Sequence, residues 1–402
     1  MLRMSKVLDR RELHGTIAGL VDDATAIRQD LHRHPELSWD EHRTSSRVAE
    51  LLAEWGFHVT TGVGGTGVVG TLRRGQGTRA IGIRADMDAL PIQEASDLDF
   101  ASVHKGRMHA CGHDGHTAIL LAAARYLTES GHFSGTVNLI FQPAEELGQG
   151  ARRMIEDGLF ERFPCDAVYG LHNWPGVPEG QLGFVDGPAM AAVDWLAIRV
   201  IGKGGHGAAP HEAVDPVVVA AHLITALQTV VSRSVAPLDS AVVTVGAIHG
   251  GDAANVIPDA VEMKLTLRSF REEVRDAIRG RVIDLAHRIA ASFGATAEVD
   301  VKPGFPSVIN HPAETAFARD VARDLFGEDC IIANLAPRTA SEDFAYMLQA
   351  RPGSFLFVGT GDGEPLHSPR YRFNDAVIAP AAAFWARLVE TYLTDKPERV
   401  SA

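Results

Sequence analysis

The chain has 402 residues, enough for two or three domains, with 46% hydrophobic and 22% charged residues, as in ordinary globular proteins. A formal charge of −13, from 38 basic and 51 acidic residues, argues against a nucleic-acid partner and an anionic membrane surface. Three cysteines, Cys111, Cys165 and Cys330, make no disulfide framework, and Met1–Leu20 lacks the apolar core of a secretory signal, so the expected compartment is the cytoplasm.

In chain order, Ile17, Leu20, Val21, Ala24, Ile27 and Leu31 recur at helical spacing and predict a helix ending before His34-Pro35. A second helix is predicted over Thr44–Trp55, stopped by Gly56. Short apolar runs at Gly67–Thr71, Ala80–Ala85, Thr136–Phe141 and Ala167–Leu171 read as strands, with helices at Thr117–Leu127 and Gly150–Glu156 between them. Strands alternating with helices imply an α/β domain around a buried sheet. The apolar helix Thr117–Leu127 is far shorter than the ~20 residues of a membrane span.

From Asp194 the pattern changes. Asp194–Gly202, Ala241–Ile248, Ala260–Ser269 and Thr296–Val301 read as strands, and Pro216–Ser232 and Glu272–Phe293 as helices. The order strand, helix, strand, strand, helix, strand is that of a ferredoxin-like domain. Alternation resumes after Pro303-Gly304 with Ala313–Phe326, Ser354–Val358 and Pro380–Leu393. The expected fold is a discontinuous α/β domain, residues 1–190 and 304–402, carrying an inserted α+β domain over 191–303.

Chemistry-bearing side chains gather at the strand ends. Cys111 and His113 lie two apart, so on an extended stretch or loop both could meet one metal ion, and the flanking Gly112 and Gly115 permit a tight backbone there. Glu145 and Glu146 follow the strand ending at Phe141; on an extended segment they point apart, so one could ligate metal and the other face a water. His172 ends one apolar run and His367 follows another, where ligands of open α/β sheets collect. Asp86 and Asp88 follow Ala80–Ala85, and Asp88 suits the orientation of a metal ligand. Thiolate, imidazole and carboxylate together are a transition-metal donor set. In the inserted domain, glycines surround His206, and Asn255 and Arg268 add an amide and a guanidinium suited to carboxylates.

These stretches together resemble the metal-dependent aminoacylase and carboxypeptidase family, in particular its amidohydrolase branch of hippurate hydrolases, N-acyl-amino-acid hydrolases and indole-acetyl-amino-acid hydrolases. The resemblance is carried by Arg28–Glu36 (RQDLHRHPE), Arg84–Pro91 (RADMDALP), His109–His116 (HACGHDGH), Phe141–Glu146 (FQPAEE), Gly170–Trp174 (GLHNW), Gly202–His211 (GKGGHGAAPH), Asn255–Pro258 (NVIP) and Ser341–Phe344 (SEDF). It implies an α/β metallohydrolase domain with an inserted lid and dimerisation domain, and two divalent metal ions per subunit. Cys111, His113, Glu146, His172 and His367 match the ligand positions. Glu145 matches the general base, with Asp88 counted in the catalytic set. His206 matches a lid histidine that helps stabilise the oxyanion across a homodimer, and Asn255 and Arg268 match substrate contacts. Where the broader family often carries histidine, this chain has Asp86, and Cys111 is peculiar to the branch. Manganese, zinc, cobalt and nickel all suit the donors. The implied reaction is hydrolysis of the amide bond of a small N-acyl amino acid by a metal-activated water. A dipeptidase, a carboxypeptidase or an N-acetyl-diaminopimelate deacetylase would use the same site.

Overall fold

The computed structural model describes residues 10–394. The chain divides into two compact units. One comprises the chain through Gly187, Ile309–Ala336 and the chain from Tyr346; the other comprises Pro188–Val308 and Pro337–Ala345. Residues 337–345, expected in the second part of the larger domain, thus cluster with the inserted unit.

The larger unit is built on a seven-stranded sheet. Across it run His58–Val63, Gly67–Arg74, Gly135–Gln142, Ala80–Asp86, Ala167–Trp174, Gly353–Gly359 and Leu182–Gly183. Its centre is parallel: Ala80–Asp86 pairs with both Gly135–Gln142 and Ala167–Trp174, and the latter pairs with Gly353–Gly359. The first two strands and the last are antiparallel additions. Ala167–Trp174 and Gly353–Gly359 are buried along almost their whole length, which is why they read as unbroken apolar runs. Because the central strands run the same way, Asp86, Gln142 and Trp174 all lie at one edge of the sheet. Every candidate metal ligand follows or closes one of these strands or begins the helix after them.

That helix, His113–Glu129, is buried on nearly every side and packs on Ile378–Tyr392 and Val21–Arg33. Ile119, Leu120, Leu121 and Leu127 are fully buried on it, each stabilising the fold by roughly 1.5–3 kcal/mol. It begins four residues before the predicted Thr117, so His113 and Asp114 sit in its first turn rather than on an extended stretch or loop.

The inserted unit has a four-stranded antiparallel sheet in the order Ala241–His249, Ala260–Ser269, Ala192–Ile201, Thr296–Pro303. This is the ferredoxin-like arrangement expected from the order of its elements. Leu196, Ile198 and Val200 alternate with exposed residues and face Pro216–Ser234 and Glu272–Ser292, which supply Leu223, Leu227, Ile278 and Val282. Pro216–Ser234 is apolar beyond the face it buries: Val217 and Val218 are exposed.

Candidate metal centre

The turn between strand and helix is shaped by Gly112. Its φ of +98° lies in the left-handed region, and a Cβ there would stand 2.3 Å from Asn173 Oδ1. Only glycine meets both demands, and the turn it makes brings Cys111 and His113 into one cluster. Cys111 Sγ lies 3.3 Å from His172 Nε2. Cys111, His113 and His172 each offer a donor atom within 4.8 Å of the others, as do Cys111, Glu146 and His367, and His113, Glu145 and Glu146. The five expected ligands therefore converge with Glu145 around His113 and Cys111.

The imidazoles are oriented from behind. His113 Nδ1–H donates to the Asp88 carbonyl at 2.9 Å and His172 Nδ1–H to the Asn173 carbonyl at 2.7 Å. Both Nε2 atoms are left with their lone pairs toward the cluster, the usual way a protein fixes a ligand tautomer. His113 Nε2 and Glu146 Oε1 are buried without a hydrogen-bond partner. Such orphaned donors suit a cation held by Cys111, His113, Glu146, His172 and His367. The protonation balance agrees. Burial, then the Glu146 charge, pushes the Cys111 thiol well up, and burial together with Asp88 and Asp86 raises Glu146. A divalent cation would reverse both effects and deprotonate the thiol. His367 is the exposed member; it has a φ of +65°, its amide donates to the Ala110 carbonyl at 2.8 Å, and Nε2 lies 3.6 Å from Glu146 Oε2.

Glu145 and Glu146 lie in a turn, not on the extended segment predicted. Instead of pointing apart, their carboxylates both come within 3.9 Å of His113 Nε2. Asp88 sets this turn: Oδ1 accepts the Glu145 amide at 3.1 Å, and Oδ2 accepts the Glu146 amide at 3.0 Å and the Ser38 hydroxyl at 2.6 Å. With both oxygens engaged, Asp88 is a brace for the turn and for His113 rather than a proton carrier. Asp86 is engaged differently. One oxygen accepts from Arg84 at 2.7 Å and the other from His116 at 2.6 Å. Burial alone would raise its pKa, but Arg84 and the histidines hold it well below the carboxylate range. His116 continues through Asn173 to the Tyr371 hydroxyl, each step 2.6 Å. Sequence reasoning did not find this relay; His116 lies in the HACGHDGH stretch, but the residues it joins are scattered from Asp86 to Tyr371.

A second buried network lies under the same helix. Asp114 Oδ2 accepts from His32 at 2.9 Å and from Arg28 at 3.2 Å, and His32 also meets Glu94 at 3.2 Å. The RQDLHRHPE stretch thus has a structural role, anchoring the first turn of the ligand-bearing helix.

In the inserted unit, His206 and Asn255 are exposed on the short paired strands Gly205–His206 and Val256–Ile257 and their flank. His206 Nδ1 accepts the Ala208 amide at 3.0 Å, which places the proton of the neutral ring on Nε2. Gly207 donates to the Asn255 carbonyl at 2.8 Å. Arg268 is half-buried; its guanidinium donates to Ser341 Oγ at 2.6 Å and the Thr339 carbonyl at 3.1 Å. Ser341, to which the sequence assigned no role, is thus the clamp that orients Arg268.

The model of peptidase family M20/M25/M40 matches residues 82–391. The chain belongs to that family. It is 42% identical over 377 residues to a hippurate hydrolase of Campylobacter jejuni, covering 94% of this chain and 98% of the relative. It is 44% identical over 359 residues to an N-acetyl-L-cysteine deacetylase of Bacillus subtilis, covering 89% and 85%. Among solved structures, this M20 chain is similar to a dinuclear metal-binding peptidase of the family from Bacillus subtilis, with a TM-score of 0.81, 36% identity and coverage of 94% and 99%.

Proposed function

We propose that this M20 chain is a metal-dependent amidohydrolase that splits N-acyl amino acids into a carboxylic acid and an amino acid. The observation carrying the proposal is that Cys111, His113, Glu146, His172 and His367 form overlapping donor groups sharing Cys111 and His113, with a second carboxylate, Glu145, beside them. Those five residues would hold two divalent cations, which would supply Lewis acidity toward the scissile carbonyl and the attacking water. Glu145 accepts the proton of that water and returns it to the departing nitrogen. Asp88 keeps Glu145 in place through the backbone of the turn. His206, with Nε2–H free of the Ala208 contact, donates to the developing oxyanion. Arg268, held by Ser341, grips the substrate carboxylate, with Asn255 as a further contact. The activities for which the hippurate hydrolase and the N-acetyl-L-cysteine deacetylase are named support the substrate class.

The active form we propose is a cytoplasmic homodimer. Exposed Val217, Val218 and Ile248 on the inserted unit support an association surface, and the unpaired thiols of Cys111, Cys165 and Cys330 support a reducing compartment. The deciding experiment strips the protein of metal and reloads it with manganese, zinc, cobalt or nickel. Hippurate, N-acetyl amino acids, indole-acetyl conjugates and short peptides are then offered in turn. Metal-dependent release of free amino acid from an N-acyl substrate is expected; turnover of peptides alone, or of nothing with any metal, overturns the proposal.

A further inference from the structure

We infer that Glu41, which lies outside every motif named for the site, is a positioning residue for the turn that carries Glu145. The inference rests on Glu145 being the base. Three successive amides, those of Ala144, Glu145 and Glu146, all donate to carboxylates. The last two go to Asp88; the first goes to Glu41 Oε1 at 2.8 Å. Successive amides of a turn form a concavity that attracts negative charge, and here two side chains of the protein fill it.

Glu41 is fully buried, and its other oxygen accepts the Thr66 hydroxyl at 2.6 Å. Burial of a carboxylate among neutral donors is costly, so its location needs a reason. Helix capping is not that reason. Glu41 stands at the N-cap of the helix His42–Glu54 and makes no side-chain cap. The open amides of that helix, on Arg43 and Thr44, are taken by Glu36 at 2.9 and 2.8 Å. Glu36 does the capping, and the Glu41 carboxylate turns to Ala144 instead.

Ala144 is the residue of the turn that most needs holding. Its φ is +49°, left-handed backbone that a residue with a Cβ seldom adopts. Its carbonyl is fixed as well, accepting the amides of Gln149 at 3.3 Å and Gly150 at 3.2 Å. A Cβ on Gly150 would fall 1.6 Å from the Pro143 carbonyl oxygen, so the loop closes only around glycine there. With Glu41 on one side of the Ala144 peptide and the closed loop on the other, the next residue, Glu145, inherits a fixed direction.

The test compares Glu41→Leu, Glu41→Asp and Glu41→Gln in the full-length, metal-loaded protein. Leucine removes the acceptor, aspartate keeps the charge but withdraws it by one methylene, and glutamine keeps an oxygen for the Ala144 amide while its NH2 can donate to the Thr66 hydroxyl. Misplacement of the base in Glu41→Leu is expected to lower kcat about 10²-fold with little change in KM. Glu41→Asp is expected to lose about tenfold and Glu41→Gln to stay close to wild type. Hydrogen exchange of the peptide spanning 143–150 should quicken in the first two and not in the third. Should Glu41→Leu fail to fold, Glu41→Asp against Glu41→Gln still decides. Wild-type kcat and exchange in Glu41→Asp, or equal damage from Glu41→Gln, overturns the inference. If the wild-type protein hydrolyses no N-acyl amino acid, the functional proposal falls, and the exchange arm alone judges Glu41.

Discussion

The two units hold their functional side chains in opposite ways. In the larger unit the candidate ligands are mostly buried, and the ring nitrogen or amide behind each is committed: His113 and His172 to carbonyls, the Glu145 and Glu146 amides to Asp88. In the inserted unit His206 and Asn255 stand exposed, held by backbone contacts, and of the three candidates only Arg268 has a side-chain clamp. The first arrangement is organised before anything binds; the second leaves donors open to what arrives. Preorganised donors favour charge developing in a transition state, whereas open donors suit recognition. Substitutions in the first region should therefore change metal content or the chemical step, and those in the second should change substrate handling with metal content intact.

The largest expected effect is His113→Ala. This removes a ring facing both Cys111 and the two glutamates, so bound metal falls below two ions per subunit by elemental analysis and turnover disappears. Unchanged metal content would break the contrast at its strongest point. Glu145→Gln comes next: metal content is retained while kcat falls by roughly 10²–10⁴-fold, the range for loss of a general base. In the inserted unit, His206→Ala is expected to lower kcat about 10²-fold, as for one oxyanion donor, with metal content and melting temperature unchanged. Arg268→Ala should raise KM roughly tenfold by losing a charge-assisted contact, and Ser341→Ala should do the same more weakly. Metal loss in either of these last two would erase the distinction between the units.

The ligand residues were legible because each belongs to a short string: those of Glu146, His172 and His367 end or follow strands, whose ends a parallel sheet brings to one edge, and that of Cys111 and His113 opens a helix. The ferredoxin-like order of the inserted unit was legible because its sheet has one buried face and alternates accordingly. The geometry within the strings was not. Gly112 was legible as the residue permitting a tight backbone, but the helix starting at His113 was not. An extended reading of Glu145–Glu146 missed a turn imposed from outside by Asp88 and Glu41. Those contacts join residues 57 and 103 positions apart, and no local pattern encodes them. Ser341 illustrates the same limit, since its value lies in Arg268, 73 residues away.

The smallest effect on turnover concerns what supports the preorganised region. His32 is buried between Asp114 and Glu94 beneath the helix that begins with His113. Burial pulls its pKa down, but the hydrogen bonds and charges of Asp114 and Glu94 outweigh this and raise it from 6.5 to about 9. A group whose pKa is higher in the folded state stabilises the fold fully below its unfolded pKa, and that stabilisation fades as pH rises through the folded pKa. The window here is pH 6.5 to about 9, and the shift corresponds to roughly 3 kcal/mol over that interval. The melting temperature of the wild-type protein should accordingly fall across this window. His32→Gln, which can still hydrogen-bond to Asp114 but carries no charge, should be less stable at the acidic end and nearly level across the window. If the loss belongs to the foundation of the metal centre, hydrogen exchange at the alkaline end should quicken in peptides around Asp114 and not in those around Arg268. An equal quickening at both, or a His32→Gln slope as steep as the wild type's, would show that the buried pair is not what sets the pH response.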